Sequence, residues 1–156
     1  MRAKTPSYFS APCITLPERE DRLQALRVAR PGAPVIAAGI SRYATLMDIG
    51  SDGRLTEAVE PFLHRLHATG QFRGDVVGFT TAYFHLPDEL AQDLVDAGLR
   101  DVEVYGIEGP AGPTLRALGM DCLDERLDAA VRAARLVERH PMMIAASGHL
   151  LAVGRV

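Results

Sequence analysis

The chain has 156 residues, 47% of them hydrophobic and 24% charged, a balance that excludes global disorder and suits one domain with a real core. Its net charge is −3 and no basic block stands out, which argues against a nucleic-acid surface. No apolar run reaches the roughly 18 residues of a membrane span, no signal-peptide core opens the sequence, and Cys13 and Cys122 make no disulfide framework, so a cytoplasmic protein is expected. Lys4 is the only lysine among 17 basic residues, a bias typical of GC-rich bacterial genomes.

Residues 1–16 read as an N-terminal arm and 17–156 as the α/β domain. "PEREDRLQALRVAR", 17–30, predicts a helix opened by Pro17 with acids in its first turn. "VIAAGIS", 35–41, is a continuous apolar run, the mark of a strand buried on both faces. One or two helical turns follow, ending at Gly50. Residues 55–70 are amphipathic, with Val59, Phe62, Leu63 and Leu66 inside, Thr56 as N-cap and Gly70 as C-terminal cap. Pro61 allows a later start. "QFRGDVVG" reads as a loop and 88–99 as a helix ended by Gly98. "RDVEVYGIEG", 100–109, alternates as a strand. "PAGP" is a turn, 122–139 a helix, and 148–155 the last strand. Strands alternating with helices predict a layered α/β domain.

Several residues stand where chemistry belongs. In "FTTAYFHLPDEL", 79–90, Pro87 suits the first helical position. Alternation before it sends Tyr83 and His85 to one side and Phe84 to the other. They read either as packing aromatics with a surface histidine, or as pocket residues, with His85 an acid or base near neutrality. Arg42 and Tyr43 follow the strand 35–41, and open α/β sheets bind ligands beyond such strand ends. The alternative for Arg42 is to cap a neighbouring helix or to pair with a carboxylate. Glu108 ends a strand before Gly109 and is a further pocket candidate. His149 reads as a strand-start residue, and Cys122 has no triad partners nearby. Glu60, His64 and His67 share a helix face, but no second cluster completes a metal site, so a solvated face and no metal are expected. "GIEGPAG" is not a nucleotide-binding glycine motif.

"LPEREDRLQALRVARPG", "IAAGISRYATLMD", "FTTAYFHLPDELAQDLVDAGL", "VEVYGIEGPAG" and "SGHLLAVGRV" occur in that order. As an ordered set they resemble the C-terminal part of small-molecule class I S-adenosylmethionine-dependent methyltransferases, over about residues 12–156. The resemblance implies a partial Rossmann-like sheet with flanking helices. Residues 35–41 would be the family's fifth strand, 100–108 the sixth and 148–155 the seventh, the last antiparallel between the other two. It also implies that "TAYFH" lies over the mouth of the catalytic cleft. On that footing Tyr83 and His85 are the catalytic candidates, and Arg42, Tyr43, Phe84 and Glu108 the substrate-binding ones.

The family's donor site is an acidic, glycine-rich loop after its first strand, yet this sequence has no E/D-x-G-x-G in any frame. Thr15 stands where the family usually has histidine, and "RPGAP" replaces "RPGG". The expectation is a truncated family member that acts on or binds a small molecule and does not bind S-adenosylmethionine unaided. The alternatives are a cofactor-free pseudo-methyltransferase that binds a small molecule or catalyses a non-methylating step, and a dimeric interaction module. Without the family's fourth strand, 35–41 is expected to be a free sheet edge, open to a second copy or to a donor-binding chain.

Overall fold

The computed structural model describes residues 29–73, 81–118 and 123–156. The arm 1–16, nearly all of the helix expected over 17–30, and both cysteines lie outside the described residues.

The chain order is β1 (Pro34–Ser41), α1 (Ala44–Ser51), α2 (Glu60–Thr69), β2 (Gln71–Phe72), β3 (Ala82–His85), α3 (Pro87–Asp96), β4 (Arg100–Gly106), a 3-10 turn (Gly109–Ala111), α4 (Gly112–Leu118), α5 (Leu123–Val137), α6 (Pro141–Ala145) and β5 (His149–Arg155). The five strands form one mixed open sheet in the order β2-β3-β1-β5-β4. β5 runs antiparallel to both neighbours, from Pro34↔Arg155 to Ile40↔His149 on one side and from Arg100↔Arg155 to Gly106↔Leu150 on the other. The last strand therefore lies between 34–41 and 100–106, as expected.

Two expectations need correction. The sheet has five strands, not three, because the lead-in to α3 is itself extended and pairs. β3 joins β1 in parallel at Ile40↔Phe84 and Ser41↔His85, and β2 joins β3 at Gln71↔Tyr83 and Phe72↔Ala82. Over Ile40 and Ser41, β1 is consequently an inner strand rather than a free edge. The physical reason lies in "TAYF": its β-branched and aromatic residues favour a pleated surface, and Pro87 ends the pairing by opening a helix.

Helix starts differ as well. α2 begins at Glu60, with Pro61 in its first turn and no side-chain cap, so Thr56 is not its N-cap. Its end is as expected, since Gly70 takes the left-handed conformation at φ 69°. The turn expected at "PAGP" continues into α4, and α6 replaces the expected connector before β5.

Alternation along β1 divides the interior. Val35 and Ala37 pack on a core of Leu90, Leu94, Leu99, Ile144, Leu150 and Ala152, where α3 covers the sheet. Ile40 turns to a second core of Leu66, Phe72, Ala82 and Phe84, covered by α2. Phe72 and Phe84 stack with centroids 5.4 Å apart. Beyond the second core, Ile36 is 62% exposed at the centre of the sheet.

Candidate functional site

The parallel strands β1, β3 and β4 all point their carboxyl ends at one edge of the sheet, and β5 begins there. Two polar clusters occupy that edge.

The first is built around Arg42, just past β1. Its side chain is 3% exposed. Nε donates to the Phe84 carbonyl at 2.8 Å, Nη1 to the His67 carbonyl at 3.0 Å, and Nη2 to the Tyr83 hydroxyl at 3.2 Å and to Glu89 Oε2. Its guanidinium carbon also lies 5.6 Å from the Tyr83 ring centroid. Glu89 Oε2 in turn accepts the Leu86 N–H at 2.9 Å, satisfying a donor at the start of α3. The planar guanidinium fork thus bridges β3, α2 and α3 at once, a geometry lysine lacks. Burial pushes the Tyr83 hydroxyl up from its ordinary value, helped by the Glu89 charge and opposed by Arg42.

His85 sits edge-on to Tyr83, with ring centroids 4.8 Å apart. It is buried, and neither ring nitrogen finds a hydrogen-bond partner among the described residues. Asp93 Oδ2 is 3.4 Å from Nε2, long for such a bond. Burial lowers the His85 pKa below 6.5, against the pull of Asp93 and Glu89. Neutral imidazole is the favoured form. Gly39 makes room for it, since a β-carbon there would come within 3.3 Å of Nδ1. Tyr43 packs its ring 5.3 Å from that of His67. Burial, with His64 and Arg42 nearby, lowers the His67 pKa too.

The second cluster is centred on Glu108, just past β4. Its carboxylate accepts from Ser147 Oγ at 2.6 Å, from the His149 N–H at 2.9 Å and from His149 Nδ1. Burial pushes its pKa up, but these bonds outweigh burial and hold it at about 2. The bond from Glu108 raises the His149 pKa, against the effect of burial. Glu108 also lines a cleft with Met47, Asp48, Gly109, Pro113 and Arg116. An Arg116–Asp48 ion pair at 2.5 Å crosses between α4 and α1 there.

The structure brings Arg42, Tyr83 and His85 together, as alternation and strand order lead one to expect. It places Phe84 in the second core, Tyr43 against His67, and Glu108 in the separate cluster. Sequence reasoning missed His149 and Ser147. Their spacing around Gly148 carries no motif, and only the return of β5 beside β4 sets them against Glu108. Among the described residues no group of three or more His, Cys, Asp or Glu is arranged to hold a metal ion, and no helix is long and apolar enough to cross a membrane.

The class defined so far is an α/β domain with a mixed five-stranded open sheet and a polar carboxyl edge. No protein-family model and no curated protein matches the chain.

Proposed function

We propose that this protein is the substrate-side part of a small-molecule class I S-adenosylmethionine-dependent methyltransferase and binds a small molecule at the carboxyl edge of its sheet. The observation that carries the reading is the antiparallel last strand lying between β1 and β4, with two polar clusters gathered where the parallel strands end. An open α/β sheet presents ligands at that edge. The family resemblance of the ordered segments supports the same assignment.

The two clusters take different parts in this reading. Arg42, Tyr83 and His85 hold β3 and α3 against β1, because the Arg42 fork is already committed to protein acceptors. Glu108 faces a cleft and is the ligand-side group. These 156 residues contain no acidic glycine-rich donor loop, so this reading assigns donor binding to residues outside them.

Calorimetric titration of the purified chain with S-adenosylmethionine tests the donor half of the proposal. No 1:1 binding is expected in the micromolar range. A dissociation constant near 1 μM, about −8 kcal/mol, would overturn it. Native mass spectrometry of the purified chain tests the other half by looking for a copurifying small molecule displaced by Glu108→Arg.

A further inference from the structure

A groove of about 390 Å³ lies on the sheet face between α5 and the strands β4 and β5, and it shares no lining residue with the cleft at Glu108. Its size is one that small ligands occupy. Tyr105 pairs with Leu151 across β4 and β5, which puts both side chains on one face, and Val153 joins them two residues further along β5. Ile107 and Val131, 46% and 40% exposed, add apolar surface. The walls are pinned. The Glu138 carbonyl accepts the Gly106 N–H at 2.9 Å, and Ala134 sits so close to Gly109 that an added β-carbon there would lie 2.6 Å from Ala134 Cα. These contacts fix the end of α5 against the end of β4, so the groove is preformed.

The charges around Tyr105 satisfy one another. Arg139 pairs with Glu103, whose other oxygen accepts the Tyr105 hydroxyl at 2.5 Å, and the Arg139 guanidinium carbon lies 5.6 Å from the Tyr105 ring centroid. Arg135 and Glu138 also line the groove, and neither side chain makes a hydrogen bond or ion pair among the described residues. Arg135 is in the last turn of α5 and Glu138 just past its end, a spacing that sets their Cβ atoms on the order of 5 Å apart on one side of the helix. A cation and an anion side by side on the lip of an apolar groove fit a molecule with both charges at one end and an apolar body at the other. An α-amino acid carries its ammonium and carboxylate on one carbon. A fatty or aromatic acid would set its carboxylate beside Glu138 with no compensating charge, and an amine would meet Arg135 in the same way.

We propose that this groove binds a free α-amino acid with a large apolar side chain. Its carboxylate meets Arg135, its ammonium meets Glu138, and its side chain lies against Tyr105, Leu151 and Val131. No covalent bond forms or breaks. The site is a second one, on the sheet face rather than at the carboxyl edge, and it stands or falls independently of the reading given for that edge.

The probe is L-phenylalanine, titrated into the nitrogen-15-labelled full chain and followed by amide chemical shifts at neutral pH. Phenylpropionate lacks the ammonium, phenethylamine lacks the carboxylate, and alanine lacks the ring. Saturable shifts at Ile107, Val131 and Arg135 are expected with L-phenylalanine, and each of the other compounds should bind about fivefold more weakly or worse. Arg135→Gln should weaken phenylalanine about fivefold without weakening phenethylamine, and Glu138→Gln should do the same without weakening phenylpropionate. Neither side chain is buried, so both variants should fold, and Leu136→Ala, at a position 86% exposed, is the control that should match the wild type. No saturable shift with L-phenylalanine overturns the proposal. So does phenylpropionate or phenethylamine binding as tightly as phenylalanine, or phenylalanine binding that is unchanged in both variants.

Discussion

Arg42 and Glu89 form an ion pair that joins the residue after β1 to the first turn of α3. The arginine is buried and the glutamate only a third exposed, so the pair is shielded from full solvent screening. The same glutamate oxygen serves the Leu86 N–H, so one carboxylate fixes both a strand end and a helix start.

Arg42→Ala is therefore expected to cost about 3 kcal/mol of stability, because it strands two carbonyls, a hydroxyl and a carboxylate. Arg42→Lys should recover less than half of that, since an ammonium does not span three directions. Urea denaturation at neutral pH measures both. A loss under about 1 kcal/mol in Arg42→Ala would show that the fork holds little.

His85 predicts an acid-side instability. Its folded pKa lies below the ordinary 6.5, so the unfolded chain takes up the proton first as pH falls. Stability should be unaffected by this group above pH 6.5 and decline below it until the folded pKa is passed. Asp93, Glu89 and Arg42 face the ring and modulate the decline. His85→Leu should flatten the slope between pH 6.5 and pH 5, read as denaturation midpoints, and an unchanged slope would exclude His85 as its source.

Within the Glu108–His149 pair the two groups carry opposite signs. Glu108 is depressed from 4.5 to about 2, so its contribution is present above 4.5 and lost as pH falls towards 2. His149 is raised above 6.5, so its contribution is full below 6.5 and lost as pH rises through the folded value. The pair stabilises most between those two bounds. Glu108→Gln should cost on the order of 2 kcal/mol at pH 5.5 and less at pH 9, a difference that thermal melts at the two pH values resolve.

Two glycines should respond differently to alanine. At Gly70 a β-carbon would lie 2.6 Å from Arg42 Nη2 and from the Phe84 carbonyl oxygen, on backbone at φ +69°. At Gly39 the nearest atoms are the Leu90 Cδ2 at 3.2 Å and His85 Nδ1 at 3.3 Å. Gly70→Ala is expected to lose roughly 3 kcal/mol and Gly39→Ala about 1. Chemical denaturation ranks them, and the reverse order would mean that the clash at Gly70 relaxes.

Much of this architecture was legible in the sequence because its signals are local. The apolar run at 35–41, the alternation at 100–106 and the Pro87 helix start each act within a few residues. Gly70 and Gly98 also announced helix ends, since few other residues adopt positive φ cheaply. What was not legible depends on pairing across the chain. β3 has four residues, and its strand character appears only once β1 lies beside it. The Glu108–Ser147–His149 cluster joins residues 39 and 41 positions apart, and no periodicity connects them. Arg42 was a candidate with a carboxylate pair as its alternative, and the pair with Glu89 is formed; its three further partners lie 25 to 42 positions away and leave no local signal.

The register of β1 also governs the order in which this domain is made. Its seven pairings to β5 run from Pro34↔Arg155 to Ile40↔His149, spanning more than a hundred residues of intervening sequence. A ribosome delivers β1 early and β5 last, so the centre of the sheet closes only after every helix between them has emerged. Until then, among the described strands, β1 has only its short pairing with β3. Such long-range closure slows folding and prolongs exposure to other chains. During synthesis, helper proteins that shield apolar segments would find their target in residues 34–41, and shaving the final strand would undo the sheet from its middle rather than from its rim.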